Sequence, residues 1–117
     1  MPSFLGMDLR GHLDLMLLAT LRQVGPAHGY AIIVSLRERS IGAFDLPEGT
    51  VYPALHRLER DGLINSEWDA RAARRRRVYQ LTTAGAKALA AKRRDWREFA
   101  RGMQVLLGYG AGRLGNL

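Results

Sequence analysis

The spacing of apolar residues changes twice along this chain, and these changes limit the folds that it can adopt. Three segments have apolar residues at every third or fourth position, namely residues 8–23, 28–39 and 48–61. This spacing predicts helices. It changes to a period of about two over residues 63–68 and 76–82, which is typical of short strands, and it returns to the helical pattern over residues 83–107. The sequence therefore predicts a mainly α fold with a small β-hairpin.

The residues between these segments support the same division. Gly25 and Pro26 interrupt the chain after the first helix, and Gly62 supplies a left-handed stop after the third. Residues 40–44 are expected to form a turn. Pro53 falls in the first turn of the third helix, where backbone N–H groups have no intrahelical acceptor, so a proline is tolerated there.

Alternation also assigns one face of each strand to the core. Ile64 and Trp68 in the first strand, and Tyr79 and Leu81 in the second, are predicted to point inward. The order α-α-α-β-β is that of a winged helix-turn-helix domain, which we assign to residues 8–82. The third helix is then the recognition helix, and the hairpin is the wing.

A recognition helix enters the major groove of DNA with its N-terminal residues at the base edges. Tyr52 is predicted to lie beside the inward stripe of Val51, Leu55 and Leu58, where its hydroxyl can reach DNA. Gly49 allows the backbone to approach closely. The residues of this helix that we predict to contact DNA are Glu48, Gly49, Thr50, Tyr52, Pro53, His56 and Arg57.

The excess of positive charge lies in the second part of the chain. The net charge is +7, yet residues 1–70 carry six basic and nine acidic side chains. Residues 71–117 carry twelve basic and two acidic ones. The predicted wing alone holds Arg71, Arg74, Arg75, Arg76 and Arg77, and like charges this close repel one another unless an anion binds. The wing arginines 74–77 are therefore predicted to contact DNA phosphates or the minor groove.

The final helix has a seven-residue repeat of apolar side chains, with Lys92 as its polar interruption. Such a repeat favours pairing with a second helix, so residues 83–107 are predicted to be a long C-terminal dimerisation helix. Residues 108–117 are rich in glycine and are expected to form a flexible tail. The predicted interface residues are Leu89, Trp96, Phe99, Met103 and Leu106.

Four separate motifs resemble those of the PadR family of bacterial regulators. They are HGYAI at residues 28–32, GTVYPAL with RLE at residues 49–59, GLI at residues 62–64 and RRRVYQLTTAG at residues 75–85. Their order and spacing make the resemblance specific, and it covers about residues 13–107. The chain resembles the family members that have a short C-terminal helix. It differs from many of them at Pro47, where they have a serine or asparagine cap before the recognition helix.

The resemblance implies a cytoplasmic transcription factor, usually a repressor, that binds an inverted-repeat operator in double-stranded DNA as a homodimer. It also implies a role at the DNA backbone for Tyr30, for which a core position is the alternative. In related proteins the cavity between the subunits can hold planar aromatic effectors, so Trp96 and Phe99 are candidates for effector binding. Packing of Trp96 in the dimer interface is the simpler alternative.

Other classes of protein find little support in the sequence. Without cysteine, thiolate metal sites are excluded, and the three histidines show no spacing that would bring them together on a metal. No catalytic constellation, cofactor motif or membrane span is recognisable, so neither an enzyme nor a membrane protein is expected. Two alternatives remain open, a winged-helix module that binds protein and a nucleic-acid-binding protein without sequence specificity.

Overall fold

The computed structural model describes residues 10–71 and 73–109. Four helices and three strands follow one another in the order α1 (Arg10–Val24), β1 (Ala27–His28), α2 (Gly29–Arg39), α3 (Glu48–Arg60), β2 (Ile64–Trp68), β3 (Arg77–Leu81) and α4 (Thr83–Leu106). This confirms the mainly α architecture with a hairpin between the third helix and a long last one. Apart from Gly108 and Tyr109, the predicted tail lies outside the described residues.

The strands form one antiparallel sheet in the order β1-β3-β2. The short strand β1 was not predicted. Ala27 pairs with Tyr79 and His28 with Val78, so the second helix begins one residue later than its sequence pattern indicates. His28 has extended backbone angles, φ −72° and ψ 160°. It is the last residue of β1 and the N-cap of α2.

The core lies between the first three helices and the inward face of the sheet. Its most deeply buried side chains are Leu17, Leu18, Leu21, Ile32, Val51, Leu55, Leu58 and Ile64. Ile64 and Tyr79 point inward as predicted. Trp68 shares their face of the sheet, because it pairs with Arg77, yet half of its surface is exposed. The inward assignment of Trp68 is wrong because the hairpin extends beyond the helices that cover its base.

α2 and α3 end in the same backbone motif but with different residues. In α3 the left-handed position is Gly62, at φ 79°, and Leu63 N donates to Leu58 O. In α2 the equivalent position is Ile41, at φ 54°, and Gly42 N donates to Arg37 O. A β-branched residue is strained in this conformation. The turn between α2 and α3 therefore begins with a strained and exposed isoleucine.

The first turn of α4 is fixed to the end of α3 and the start of the hairpin. Thr82 caps the helix, because its Oγ1 accepts a hydrogen bond from Gly85 N at 3.0 Å. The same hydroxyl donates to Gly62 O at 2.8 Å, and Thr82 N donates to Leu63 O at 3.1 Å. A Cβ on Gly85 would lie 1.9 Å from Leu63 O, so only glycine allows this contact.

The beginning of α4 also belongs to the core of the protomer. Leu89 is only 2% exposed and lies in the same apolar cluster as Leu13 and Leu17 of α1. Its assignment to a dimer interface is therefore wrong. The seven-residue repeat is continuous in sequence, but its first member packs within the domain, and the exposed apolar face begins at Trp96, which is 44% exposed.

We expect Gly85→Ala to lower the free energy of unfolding by about 2–3 kcal/mol, because a backbone oxygen cannot move aside without displacing Leu63 or α4. Urea unfolding followed by circular dichroism measures the change. Gly102→Ala in the same helix is the control, since a Cβ there meets open space, and it should stabilise by about 0.5–1 kcal/mol. Equal effects of the two changes would contradict the packing described for Gly85.

Candidate nucleic-acid interface

The outer surface of α3 is a ridge of four exposed residues. They are spaced by four, three and four positions, which places them on one face of a helix, opposite Val51, Leu55 and Leu58. The ridge consists of Gly49, Pro53, His56 and Arg60. Three of these were predicted from the sequence. Arg60 was missed, although continuing the same spacing by one more step would have found it.

Tyr52 lies beside the ridge and contacts the start of α2. A Cβ on Gly29 would lie 2.4 Å from Tyr52 Cε1, so the ring occupies the space that glycine leaves free. Burial raises the pKa of the Tyr52 phenol, and the nearby Glu48 carboxylate adds to this effect. The phenol is therefore neutral at physiological pH and can both donate and accept a hydrogen bond.

A groove of about 350 Å³ separates this side of α3 from the wing. It brings together residues from three parts of the chain that the sequence predicted separately, namely Tyr30, Tyr52, His56, Arg75, Arg76 and Arg77. Tyr30 is 65% exposed, which rules out the core alternative for this residue. The groove is also lined by His28, which was not among the predicted contact residues.

Arg57 is not part of this groove. Its Nη2 donates to Asp14 Oδ1 of α1, so the side chain ties α3 to α1 instead of facing the wing. Thr50 lies one heptad before Arg57 and is half-buried on that same side of α3. The Arg57 guanidinium thus already has a carboxylate partner within the domain, and its contact with DNA stays a prediction.

The four consecutive wing arginines differ in their surroundings. Arg74, Arg75 and Arg76 are exposed. Arg77 is half-buried, its Nε donates to Ser66 Oγ at 2.7 Å, and its Nη2 lies 3.8 Å from Glu59 Oε2 of α3. Because Arg77 is held by the base of the hairpin, it is the least available of the four for a phosphate.

Trp68 stabilises the exposed part of the wing. The guanidinium carbon of Arg75 lies 4.4 Å from the centre of the Trp68 ring, and that of Arg77 lies 4.8 Å from it. Both distances are typical of cation–π contacts, which contribute about 0.5–1 kcal/mol each at exposed sites. Trp68 therefore orders two arginines that would otherwise repel each other. The sequence pattern predicts only a core position for Trp68.

A second exposed surface lies on the far part of α4. Trp96, Phe99, Met103 and Leu106 are 44%, 55%, 39% and 82% exposed. Trp96 and Phe99 contact each other and His12 of α1, with the Trp96 and His12 ring centres 5.3 Å apart. A cleft of about 360 Å³ between α1 and α4 is lined by these three rings together with Lys92 and Asp95.

Residues 10–71 and 73–109 contain no group of three His, Asp or Glu side chains arranged to bind a metal ion. In the same part of the chain, no helix is long and apolar enough to span a membrane.

We expect Gly29→Ala to displace the Tyr52 ring and to weaken DNA binding by about tenfold, since a buried Cβ cannot share its space with that ring. Fluorescence anisotropy with a mixed-sequence duplex measures the affinity. Gly11→Ala, where a Cβ meets open space in α1, is the control and should leave the affinity unchanged. If Gly29→Ala binds as tightly as the control, the Tyr52 position is not needed for binding.

Comparison with known proteins agrees with this geometry. Residues 17–91 match the model of the transcriptional regulator PadR-like family. The chain is 48% identical over 65 residues to Transcriptional regulator Rv3488 of Mycobacterium tuberculosis, and this match covers 56% of the chain and 61% of that relative. The match thus spans less than two thirds of the relative's length.

Two solved structures have the same fold. A PadR family transcriptional regulator from Eggerthella lenta is 35% identical with a TM-score of 0.73, covering 84% of this chain and 83% of that one. A transcriptional regulator from Clostridium thermocellum is 29% identical with a TM-score of 0.76, covering 82% and 93%. From the matched family model, which takes in most of the domain and the start of α4, the chain belongs to the PadR-like family of transcriptional regulators, which are DNA-binding proteins and not enzymes.

Proposed function

We propose that the chain is a homodimeric repressor that recognises an inverted-repeat operator in the cytoplasm. The observation that carries this proposal is the juxtaposition of the α3 ridge and the arginine wing across one groove. A ridge of small and polar residues beside a cluster of exposed guanidinium groups suits the two surfaces of B-DNA, base edges in the major groove and the adjacent phosphates.

Within each protomer the contacts divide into two kinds. Gly49, Pro53 and His56 on the ridge meet base edges, with Tyr52 beside them, and these residues determine sequence preference. Arg74, Arg75 and Arg76 of the wing, Arg60 at the end of the ridge and Tyr30 at the start of α2 bind the backbone. Glu48 and Thr50 flank the ridge at the first turn of α3 and remain predicted contacts.

The exposed apolar face of α4 carries the dimerisation part of the proposal. Four large apolar side chains in a row are unfavourable in water, and a second copy of α4 would bury them in a symmetric interface. A two-fold axis there presents two recognition helices to successive major-groove faces about 34 Å apart, which requires a near-palindromic operator.

The cleft beside Trp96 carries the effector part of the proposal. Trp96 and Phe99 offer ring faces at a cleft between α1 and α4, which a planar aromatic compound can enter by stacking. A compound that prefers another angle between the paired α4 helices would change the spacing of the recognition helices and release the operator. Packing within the dimer is the alternative role for these rings.

The repressor proposal is tested with the DNA upstream of the protein's own gene and with a random duplex of equal length. We expect affinities that differ by a factor on the order of 10³, because a sequence-specific regulator separates operator from random DNA by at least this much. Equal affinity would indicate binding without sequence specificity. No DNA binding, or binding without salt dependence, would favour a protein-binding module.

Dimerisation is tested in the same assay with Phe99→Glu/Leu106→Glu. Both side chains are more than half exposed, so the protomer should fold, but a charged seam should separate the subunits and weaken operator binding by about 100-fold. Val105→Glu is the control, because Val105 is exposed and lies about 100° around the helix from Leu106, outside the apolar row. Light scattering reports the mass of each variant, and a dimeric double variant would contradict the proposed interface.

The effector proposal predicts that planar aromatic compounds quench the fluorescence of Trp96. Trp68→Phe leaves Trp96 as the single tryptophan, so acridine can be titrated against one reporter. The compound should also weaken operator binding. If a Trp96→Ala dimer binds acridine as tightly as the unchanged protein, Trp96 serves packing and not ligand binding.

A further inference from the structure

One acidic residue, Asp69, lies directly before the most basic segment of the chain. Asp69 directly follows β2 and precedes Arg71 and the arginine run at residues 74–77. On charge alone, a carboxylate beside a phosphate-binding surface weakens DNA binding, because it repels the phosphates and neutralises part of the basic charge. Its position therefore requires another explanation.

Asp69 uses its backbone and both carboxylate oxygens to close the wing loop. Its N–H donates to Arg76 O at 2.9 Å, which joins the two ends of the loop. Oδ1 accepts a hydrogen bond from Arg71 N at 3.0 Å, so the first turn of the loop is fixed as well. Oδ2 accepts from His28 Nε2 at 3.1 Å.

The hydrogen bond to His28 connects the loop to a distant part of the domain. His28 pairs with Val78 of β3, which in turn pairs with Glu67 of β2, so these three side chains lie on the same face of the sheet. The His28 ring therefore reaches across the central strand to Asp69. Because His28 immediately precedes α2, this contact joins the wing to the helix that holds Tyr30 and supports Tyr52.

The charged state of Asp69 agrees with this arrangement. The hydrogen bond from His28 lowers the pKa of the Asp69 carboxyl below its usual value, and the hydrogen bond from Arg71 N lowers it further. The positive charges of His28 in its protonated form and of Arg76 act in the same direction. The nearby acidic residue on the same face of the sheet as His28 is Glu67. Asp69 is therefore ionised at neutral pH, when it accepts both hydrogen bonds.

We propose that Asp69 and His28 are a positioning pair, which holds the wing at the distance from the α3 ridge at which its arginines reach DNA phosphates. This inference rests on the phosphate-binding role of the wing in the proposed function. Asp69 then increases DNA affinity although it carries the same charge as the phosphates. Its repulsion acts through solvent and is screened by salt, whereas displacing the loop removes whole arginine–phosphate contacts.

Glu67 provides a matched control for the charge. It is an exposed acid two residues before Asp69 on the same face of the hairpin, and in the part of the chain that the structure describes its carboxylate makes no hydrogen bond or ion pair. Asp69→Ala and Glu67→Ala remove the same charge from the same surface. A purely electrostatic role predicts that both increase DNA affinity, while a positioning role predicts opposite effects.

The experiment measures anisotropy of a mixed-sequence DNA duplex over a range of KCl concentrations. We expect Glu67→Ala to increase affinity about twofold, and Asp69→Ala to lower it about fivefold and to reduce the salt slope by about 1, the change expected when one phosphate contact is lost. A general loss of stability lowers the fraction of folded protein but leaves this slope unchanged. If Asp69→Ala increases affinity as Glu67→Ala does, the positioning role is wrong.

A double-mutant cycle tests whether the two residues act together. His28→Ala should reproduce the effect of Asp69→Ala, and the double variant should lose at least about threefold less than the product of the single losses. Asp69→Asn keeps an oxygen acceptor for Arg71 N and has an amide that can donate to His28 Nε2, so it should retain the salt slope. If Asp69→Ala does not fold, the salt slopes of His28→Ala and Asp69→Asn test the proposal instead. An unchanged salt slope in His28→Ala overturns it. Additive losses of affinity in the double-mutant cycle overturn it as well.

Arg74→Ala/Arg75→Ala/Arg76→Ala separates this inference from the proposed function on which it rests. These three side chains are exposed, so their removal should reduce the salt slope without unfolding the domain. An unchanged slope means that the wing does not bind phosphate, and both proposals then fail. A reduced slope here, together with an Asp69→Ala variant that behaves like Glu67→Ala, overturns only the positioning pair.

Discussion

The contact between the start of α2 and Tyr52 of α3 is the constraint on which the rest of the interface depends. Three consecutive residues have three different roles there. Gly29 leaves the space that the Tyr52 ring fills, His28 bonds to Asp69 at the wing, and Tyr30 is exposed at the groove. Since these residues are consecutive, moving any one of them moves the others. The recognition helix, the wing and the start of α2 are thus held at fixed distances from one another.

The arginine-rich wing is held in place by several contacts with the rest of the domain. Each contact is weak, because exposed ion pairs and cation–π contacts contribute about 1 kcal/mol or less. Together they act on both faces of the hairpin, with Ser66, Glu59 and Trp68 on one face and His28 with Asp69 on the other. In the proposed complex with DNA, this order would reduce the entropy lost when several long side chains are fixed on the phosphates.

The elements that depend on local pattern could be predicted from the sequence, and those that depend on distant partners could not. The helices and the hairpin follow from apolar spacing, whereas a two-residue strand such as β1 is too short to show alternation. Arg57 and Arg60 are similar in sequence context. Only the fold shows that Arg57 donates a hydrogen bond to Asp14, which lies forty-three positions earlier in the chain. Similarly, Leu89 and Trp96 occupy the same heptad position, but only Leu89 is buried in the core, whereas Trp96 contacts α1 at His12 and stays 44% exposed.

Local rules also fail at the end of α2, where they would place the left-handed residue at Gly42. The observed motif puts Ile41 there instead, one position earlier, with Gly42 following it at φ 82°. The backbone hydrogen bonds of Ile41 N to Glu38 O and of Gly42 N to Arg37 O determine this end, together with the Ser40 side chain that accepts from Phe44 N. Leu46, which follows this turn, is buried in the core.

The anchoring of α4 determines how a signal at the proposed dimer interface would reach DNA. Thr82 and Gly85 hold its first turn to Gly62 and Leu63, the residues that end α3 and begin the hairpin. Leu89 continues that attachment into the core. In the proposed dimer, a change in the angle between paired α4 helices would therefore rotate each domain as one body, because these contacts fix α4 to both the wing and α3. Such a rotation alters the spacing of the two half-site contacts and leaves the contacts within each half-site intact.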